Sequence, residues 1–331
     1  MDNLQSVLLQ MQQFGIELRD RDLPLKLDTP RSVTCGAKGK DWYKLYTFRP
    51  DAGGSFVVGT FGTYRHGGSA QKVEVDWQPL SEAERERAKA ERAAARARAE
   101  AKRREEAALA AMGAAELLAR ASRKGASPYL QRKGVDPEAC RFLPDGTLVL
   151  PLMHYGMPLP DRLRGVQRIL PDGRKLYTKG FDKPGCSCRL GKADPKSSAL
   201  LMVCEGYATG LTARMATLRQ HPVFVALDAG NLAHVVPLLR ALYPRSRILV
   251  LADDDWQTRD PHTGELTNPG RTAARAVAKQ VPGCDFVTPI FAAATRDRGD
   301  TDFNDLHARE GLDAVRRQLS GVVAAMARFY G

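Results

Sequence analysis

The chain has 331 residues, 43% of them hydrophobic, which suffices for two or three compact units and excludes wholesale disorder. Lysine and arginine outnumber aspartate and glutamate by 50 to 38, a formal charge of +12. That excess points to a polyanionic partner, phosphate backbones first, with a basic protein lacking any specific partner as the competing account. Six scattered cysteines offer only Cys186-Ser-Cys188 as a close pair, without a CxxC or a histidine at ligand spacing. No zinc site is expected, and the thiols should be free. Residues 1–15 lack the basic start and apolar core of a signal peptide, and no apolar run nears the ~20 residues of a membrane span. A cytoplasmic protein with no membrane partner, in a bacterial host cell, is the expectation.

In chain order, residues 1–79 open with Leu4, Val7, Leu8 and Met11 at helical spacing. Strand-like runs follow, DWYKLYTF, GSFVVGTFGTY and QKVEVDW, broken by turn residues. Trp42, Tyr43, Tyr46, Phe48, Phe56, Phe61, Tyr64 and Trp77 concentrate here, interleaved with Lys44, Arg49, Arg65, His66 and Lys72. Such a β-rich module could stack the bases of a single strand, or the aromatics could simply be its core. From Ser81 to about Ala111 the composition turns to Ala, Glu and Arg. Ser81–Ala107 holds nine basic and seven acidic residues and no Gly or Pro, which predicts a solvated charged helix as a linker over 80–112.

Residues 113–197 read as an α+β basic unit: a helix near Ala114–Ser122, then SPYLQRKGVD, strands at TLVLPLM and RGVQRIL, and a PDGRK turn before LYTKG. Between Arg120 and Lys196 there are sixteen basic residues against seven acidic. Clustered Lys and Arg suit a groove that tracks a phosphate backbone, because their binding releases condensed counterions. From 198 to 331 near-continuous apolar strands (ALLMVCE, VFVALDA, RILVLADD, DFVTPIF) alternate with helices predicted at Ala208–Leu218, Leu232–Leu242 and Arg271–Val281. That pattern argues for a Rossmann-like parallel sheet covered on both faces.

In such a sheet functional groups gather at the carboxyl ends of the strands. Glu205 ends the first strand, Asp253-Asp254-Asp255 end the third, and GDTDFNDLH, with Asp300, Asp302 and Asp305, follows the fourth. Converging carboxylates repel one another unless they share cations, and oxygen-only donors select hard ions, so Mg²⁺ or Mn²⁺ is expected. A metal held by carboxylates and substrate phosphates is a setting for phosphoryl transfer.

These residues resemble the Toprim domain of bacterial-type primases, type IA and II topoisomerases and some nucleases, in which a glutamate follows the first strand and Asp-x-Asp the third. EGYATG, residues 205–210, is similar to the active-site motif of primases from conjugative plasmids and satellite phages. NPGRTAARAVA resembles the glycine-led helix after Asp-x-Asp, and TDFNDL the later acidic motif. Upstream, YLQRKGVD through RLG resembles the basic domain that precedes Toprim in primases.

The resemblance implies an α/β Toprim domain preceded by a basic domain. It implies metal and catalytic roles for Glu205, Asp253 and Asp255, with Asp302 and Asp305 assisting, and Glu205 as either metal ligand or general base. Arg168, Lys175, Lys179, Tyr207 and Arg271 are the implied nucleic-acid or nucleotide contacts, although Tyr207 could equally pack beneath its loop. The implied activity is a DNA primase that joins NTPs into short primers on single-stranded DNA. A Toprim nuclease and a non-catalytic single-strand-binding protein are the alternatives. Two departures stand out. WQTRDPHTGELTNP separates Asp255 from Gly270, longer than in cellular primases, and an aromatic module replaces the usual zinc ribbon. No GxxxxGK[ST] occurs, so a separate helicase is the expected partner.

Overall fold

A computed structural model describes residues 3–49, 53–65, 68–75, 82–260, 264–292 and 296–330; Trp77 of the aromatic set and His66 of the interleaved basic set lie outside these residues. The chain divides into two compact units, Met1–Glu105 and Glu106–Gly331.

The first unit opens with helix α1 (Leu4–Gln13), followed by strands β1 (Val33–Cys35), β2 (Asp41–Phe48), β3 (Phe56–Thr63) and β4 (Ser69–Lys72), an antiparallel sheet in that order. Strand periodicity sorts β2 by face. Tyr43 and Leu45 are buried with Val57 and Phe61 against Val7, Met11 and Ile16, while Trp42, Lys44 and Tyr46 take the other face. The Asn3 amide ties α1 to the sheet by donating to the Val57 carbonyl at 2.9 Å and accepting from the Val57 N–H at 2.7 Å.

Helix α2 (Glu82–Arg120) is longer than its charged sequence suggests, running through Gly113 and absorbing the helix expected near Ala114. A glycine costs roughly 1 kcal/mol in a helix. Here that cost is offset by packing: Ala114 and Ala121 are buried against Val149 and Val166.

The second unit continues through α3 (Pro128–Lys133), β5 (Arg141–Phe142), β6 (Leu148–His154), β7 (Leu163–Ile169), β8 (Lys175–Tyr177) and β9 (Cys186–Leu190). Then come β10 (Leu200–Cys204), α4 (Tyr207–Ala216), β11 (Val223–Val225), α5 (Ala229–Leu242), β12 (Arg247–Leu251), α6 (Pro269–Gln280), β13 (Cys284–Val287), α7 (Phe303–Glu310) and α8 (Leu312–Tyr330). All nine strands form one sheet, ordered β13-β12-β10-β11-β9-β6-β7-β8 with β5 on β6. Strands β10 to β13 are parallel, as their apolar runs predict, whereas β9 meets β11 antiparallel and opens an antiparallel half. The sheet is therefore mixed, and it crosses the expected boundary between residues 197 and 198.

Alternation along β10 and β12 splits the core. Met202, Cys204, Leu249 and Leu251 join Leu211, Phe303 and Val315 on one face; Leu201, Val203, Ile248 and Val250 join Leu232, Val236 and Ala274 on the other. Each fully buried aliphatic side chain of this kind contributes ~1.5–3 kcal/mol, so the strands form a rigid base for what lies at their ends. No helix among the described residues is long and apolar enough to cross a membrane.

Candidate active site

Strand β10 lies between β11 and β12, so the chain leaves it first to one side and later to the other. That reversal opens a crevice at the carboxyl ends of β10 and β12, the place where open α/β sheets bind ligands. The register pairs Cys204 with Leu251, and Glu205 and Asp253 emerge together just beyond them. Glu205 Oε1 and Asp253 Oδ1 are both buried without a hydrogen-bond partner.

Burial raises the Glu205 pKa to about 7, helped by the charges of Asp255 and Asp228 and opposed by the Ala229 N–H and Lys175. Burial likewise pushes Asp253 up to about 9, reinforced by Glu205, Asp302 and Asp255. Glycine 270 explains why α6 begins as it does. A Cβ there would lie 2.6 Å from the Asp253 carbonyl oxygen and 3.1 Å from Glu205 Oε1, so only a bare backbone fits against the two acids.

The three consecutive aspartates meet three environments. Asp253 faces Glu205. Asp254 is paired with Arg296 at 2.8 Å and accepts from the Asn268 amide at 2.6 Å. Asp255 accepts from the Gly270 N–H at 3.0 Å, at the positive end of α6. Arg296 in turn packs over Trp256 and Phe291, its guanidinium carbon 4.4 and 4.8 Å from the ring centroids. The long insertion closes on itself, with the Thr267 N–H donating to the Thr258 carbonyl. It ends at Asn268, whose side chain caps α6 and accepts from the Asp255 N–H.

Asp302 and Asp305 form a capping box on α7, each carboxylate accepting from the other's backbone N–H. Asp302 also accepts from the Thr209 hydroxyl at 2.9 Å, and Asp305 pairs with Lys133 at 3.4 Å. Burial raises the Asp302 pKa, with the neighbouring Asp305 charge adding to the effect. Thr209, inside the EGYATG stretch, thus joins α4 to the acidic end of α7. The buried Asn304 amide repeats the link by donating to the Thr212 hydroxyl and the Lys133 carbonyl.

Beside these acids lies a cleft of about 420 Å³ lined by Tyr129, Arg132, Lys133, Lys175, Gly206 and Asp302, among others. Lys175 is the implied basic residue that reaches it, and its charge acts on both Glu205 and Asp253. Arg168 does not. In the β7–β8 pairing Arg168 faces Leu176 while Lys175 faces Ile169, which puts Arg168 and Lys175 on opposite faces of the sheet. Lys179 is exposed past the end of β8, and Arg271 is exposed on the first turn of α6; neither lines this cleft. Tyr207 is a correction: it is 1% exposed, and its hydroxyl donates to the Glu138 carbonyl at 2.5 Å. It packs in the core, so the second of its two readings holds. Lys133, Arg132, Tyr129, Thr209 and Arg296 were not singled out from the sequence, because their placement depends on contacts between distant segments.

The donors suit a hard divalent cation: two buried, unpartnered carboxylate oxygens side by side, further carboxylates adjoining, and no imidazole among them. Among the described residues no three acidic, His or Cys side chains stand in ready ligand geometry, since Asp255, Asp302 and Asp305 are engaged with helix N-termini.

Residues 200–313 match the Toprim domain family. Two relatives from Escherichia coli, each named "DNA primase TraC", are similar to this chain. One is 38% identical over 128 residues, covering 38% of this chain and 12% of the relative; the other is 34% identical over 173 residues, covering 51% and 11%. The chain thus matches about a tenth of the length of these curated relatives. Among solved structures, the Aquifex aeolicus primase (zinc-binding and RNA polymerase domains) matches 97% of this chain and 84% of its own at 13% identity and a TM-score of 0.40. The primase fragment of the bacteriophage T7 primase-helicase matches 57% and 69% at 14% identity and a TM-score of 0.37. The segment that carries Glu205, Asp253, Asp255, Asp302 and Asp305 is therefore the one that matches Toprim, in a chain with curated similarity to DNA primase TraC.

Proposed function

We propose that this chain is a DNA primase that synthesises short primers from NTPs on single-stranded DNA during plasmid or phage replication. The observation that carries the reading is the pair of buried carboxylates, Glu205 and Asp253, each with one unpartnered oxygen, set beside a cleft that holds Arg132, Lys133 and Lys175. Acid at one wall and base at the other suits a reaction between phosphate esters, where charge must be both bound and offset.

In the reaction a 3′-hydroxyl attacks the α-phosphorus of an NTP, a phosphodiester forms, and pyrophosphate leaves. Mg²⁺ or Mn²⁺ held by Glu205 and Asp253, with Asp255 and Asp302 adjoining, would supply positive charge to the phosphate oxygens and acidify the attacking hydroxyl. Glu205, with a pKa near 7, is suited to accept the hydroxyl proton if it is not committed as a ligand. Lys175, Arg132 and Lys133 draw phosphates into the cleft, while the Gly270 turn lets α6 approach the acids. In this scheme residues 113–197 hold the nucleic acid, residues 198–331 carry the chemistry, residues 80–112 link them to the module at 1–79, and a separate helicase exposes the template.

The test incubates the protein with single-stranded templates, Mg²⁺ and labelled NTPs or dNTPs. Short template-dependent products that vanish in Asp253→Asn are expected. Template cleavage without nucleotide incorporation would overturn the reading in favour of a nuclease.

A further inference from the structure

The N-terminal sheet has two faces of different chemistry. One is closed by α1 over Tyr43, Leu45, Val57 and Phe61. The other carries Trp42, Lys44 and Tyr46 from alternate positions of β2, with Tyr64 just beyond β3 and Lys72 at the end of β4. Cross-strand pairing sets the rows. Trp42 faces Gly62 and then Ala70, Lys44 faces Thr60 and then Lys72, and Tyr46 faces Val58. Aromatic and long basic side chains thus alternate along one strand, and their neighbours are mostly small.

That arrangement needs Gly62. A Cβ there would come within 2.9 Å of the Trp42 ring, so the indole lies across the neighbouring strand and not away from it. The Trp42 and Tyr64 rings are 6.1 Å apart with planes 32° from parallel, and Tyr64 is 58% exposed. The Lys44 ammonium sits 5.6 Å from the Tyr46 centroid. No acid shares this face among the described residues of the four strands; Asp41, the nearest in sequence, is buried on the other side and paired with Arg65. The Lys44 pKa is lowered by burial and by a second cation, Arg103 of α2, and the Lys44 ammonium donates to the Thr29 carbonyl, so two positive groups lie near each other at this face.

We propose that this face binds single-stranded nucleic acid, with bases stacked on Trp42, Tyr46 and Tyr64 and phosphates held by Lys44 and Lys72. Unpaired bases offer the π-faces that such a platform takes, and a duplex keeps its own stacked inside. Trp42 and Tyr46 lie roughly 13 Å apart along the strand, leaving room for an intervening base. The surface is distinct from the carboxylate edge, so it is judged by where nucleic acid touches the chain, whatever the outcome for nucleotide incorporation.

The experiment uses the full chain with bromodeoxyuridine-substituted oligo(dT) and bromouridine-substituted oligo(rU). Ultraviolet crosslinks are mapped by mass spectrometry, and affinities are measured by anisotropy. Crosslinks at Trp42, Tyr46 or Tyr64 are expected with at least one of the two. Trp42→Ala/Tyr46→Ala should weaken binding ~10-fold or more, and Trp42→Phe/Tyr46→Phe should restore most of it. Whichever sugar binds more tightly identifies the strand as DNA or RNA. Crosslinks confined to residues after Glu105, unchanged affinity in the alanine pair, or equal competition by a duplex of the same sequence would overturn the proposal. The crosslink map is made on the unaltered protein, so it decides the matter even if the alanine pair folds poorly.

Discussion

The N-terminal sheet and the parallel strands of the large sheet use their side chains in opposite ways. The parallel strands are covered on both faces, so Leu200–Cys204 and Ile248–Leu251 are almost wholly buried and polar groups collect at the strand ends. The N-terminal sheet is covered by α1 on one face, so β2 can spend alternate positions on Trp42, Lys44 and Tyr46. A doubly covered sheet puts its chemistry at an edge; a singly covered one can put it on a face. The edge is the more sensitive of the two to backbone displacement.

The largest expected effect follows from that sensitivity. Gly270→Ala places a methyl group 2.6 Å from the Asp253 carbonyl and 3.1 Å from the Glu205 carboxylate, so the backbone between the two acids must give way. Misplacing catalytic groups by about 1 Å costs on the order of 100-fold in rate. Single-turnover nucleotide incorporation should fall by about that much, with the far-ultraviolet circular dichroism of the parent. Full activity in Gly270→Ala would show that α6 does not set the geometry of the acids.

The second effect is on stability and depends on pH. Asp253 has its pKa raised from 3.8 to about 9 and Glu205 from 4.5 to about 7, so between the two limits the folded chain binds more protons than the unfolded one. Stability should therefore decline as pH rises from about 4 towards about 9, the reverse of the usual paired carboxylate. In metal-free buffer at pH 8, Asp253→Asn should melt roughly 5 °C higher than the parent, and at pH 4 the two should coincide. Mg²⁺ at pH 8 should raise the melting point of the parent more than that of Asp253→Asn. An unchanged difference between pH 4 and pH 8 would remove the buried-charge account of the site.

Much of the edge was legible in the sequence because a buried strand ending in an acid is a local signal: Glu205 and Asp253 need only their own strands to be found. What was not legible depends on distant partners. Tyr207 reads as a ligand contact until Glu138, from another segment, is seen to hold its hydroxyl. Arg168 and Lys175 belong to one basic run, yet the pairing of β7 with β8 sends them to opposite faces. The continuity of the large sheet rests on β9 meeting β11, whose hydrogen bonds leave no trace in composition. The change of composition near residue 112 reads as a boundary between two helices, but burial of Ala114 carries α2 through Gly113.

A smaller effect is expected at Arg296, which joins the Asp254 carboxylate to the Asp300 carbonyl and stacks between Trp256 and Phe291. Its partners are Asp254, Asp300, Trp256 and Phe291, not Glu205 or Asp253, so it acts by holding the β12 loop against the approach to α7. Arg296→Ala should lower incorporation ~10-fold and the melting point by a few degrees. Arg296→Lys should recover part of the stability and little of the activity, because an ammonium cannot reproduce a planar group stacked between two rings.

The smallest effect separates positioning from charge. The Thr209 hydroxyl donates to Asp302 at 2.9 Å, while Asp302 also accepts from the Asn304 and Asp305 N–H groups. Thr209→Val keeps the shape and removes one of three donors, leaving the carboxylate capped but free to turn about its helix end. A hydrogen bond to a charged group contributes ~1.5–3 kcal/mol when its loss leaves a buried acceptor unsatisfied. The two remaining donors should reduce that to a loss of a few-fold in incorporation, on the order of 1 kcal/mol. Thr209→Ser should be close to the parent. If Thr209→Val instead matched Gly270→Ala, the α4–α7 link would be as much a part of the edge as the α6 turn, and the Asp302 carboxylate would have to be counted with Glu205 and Asp253.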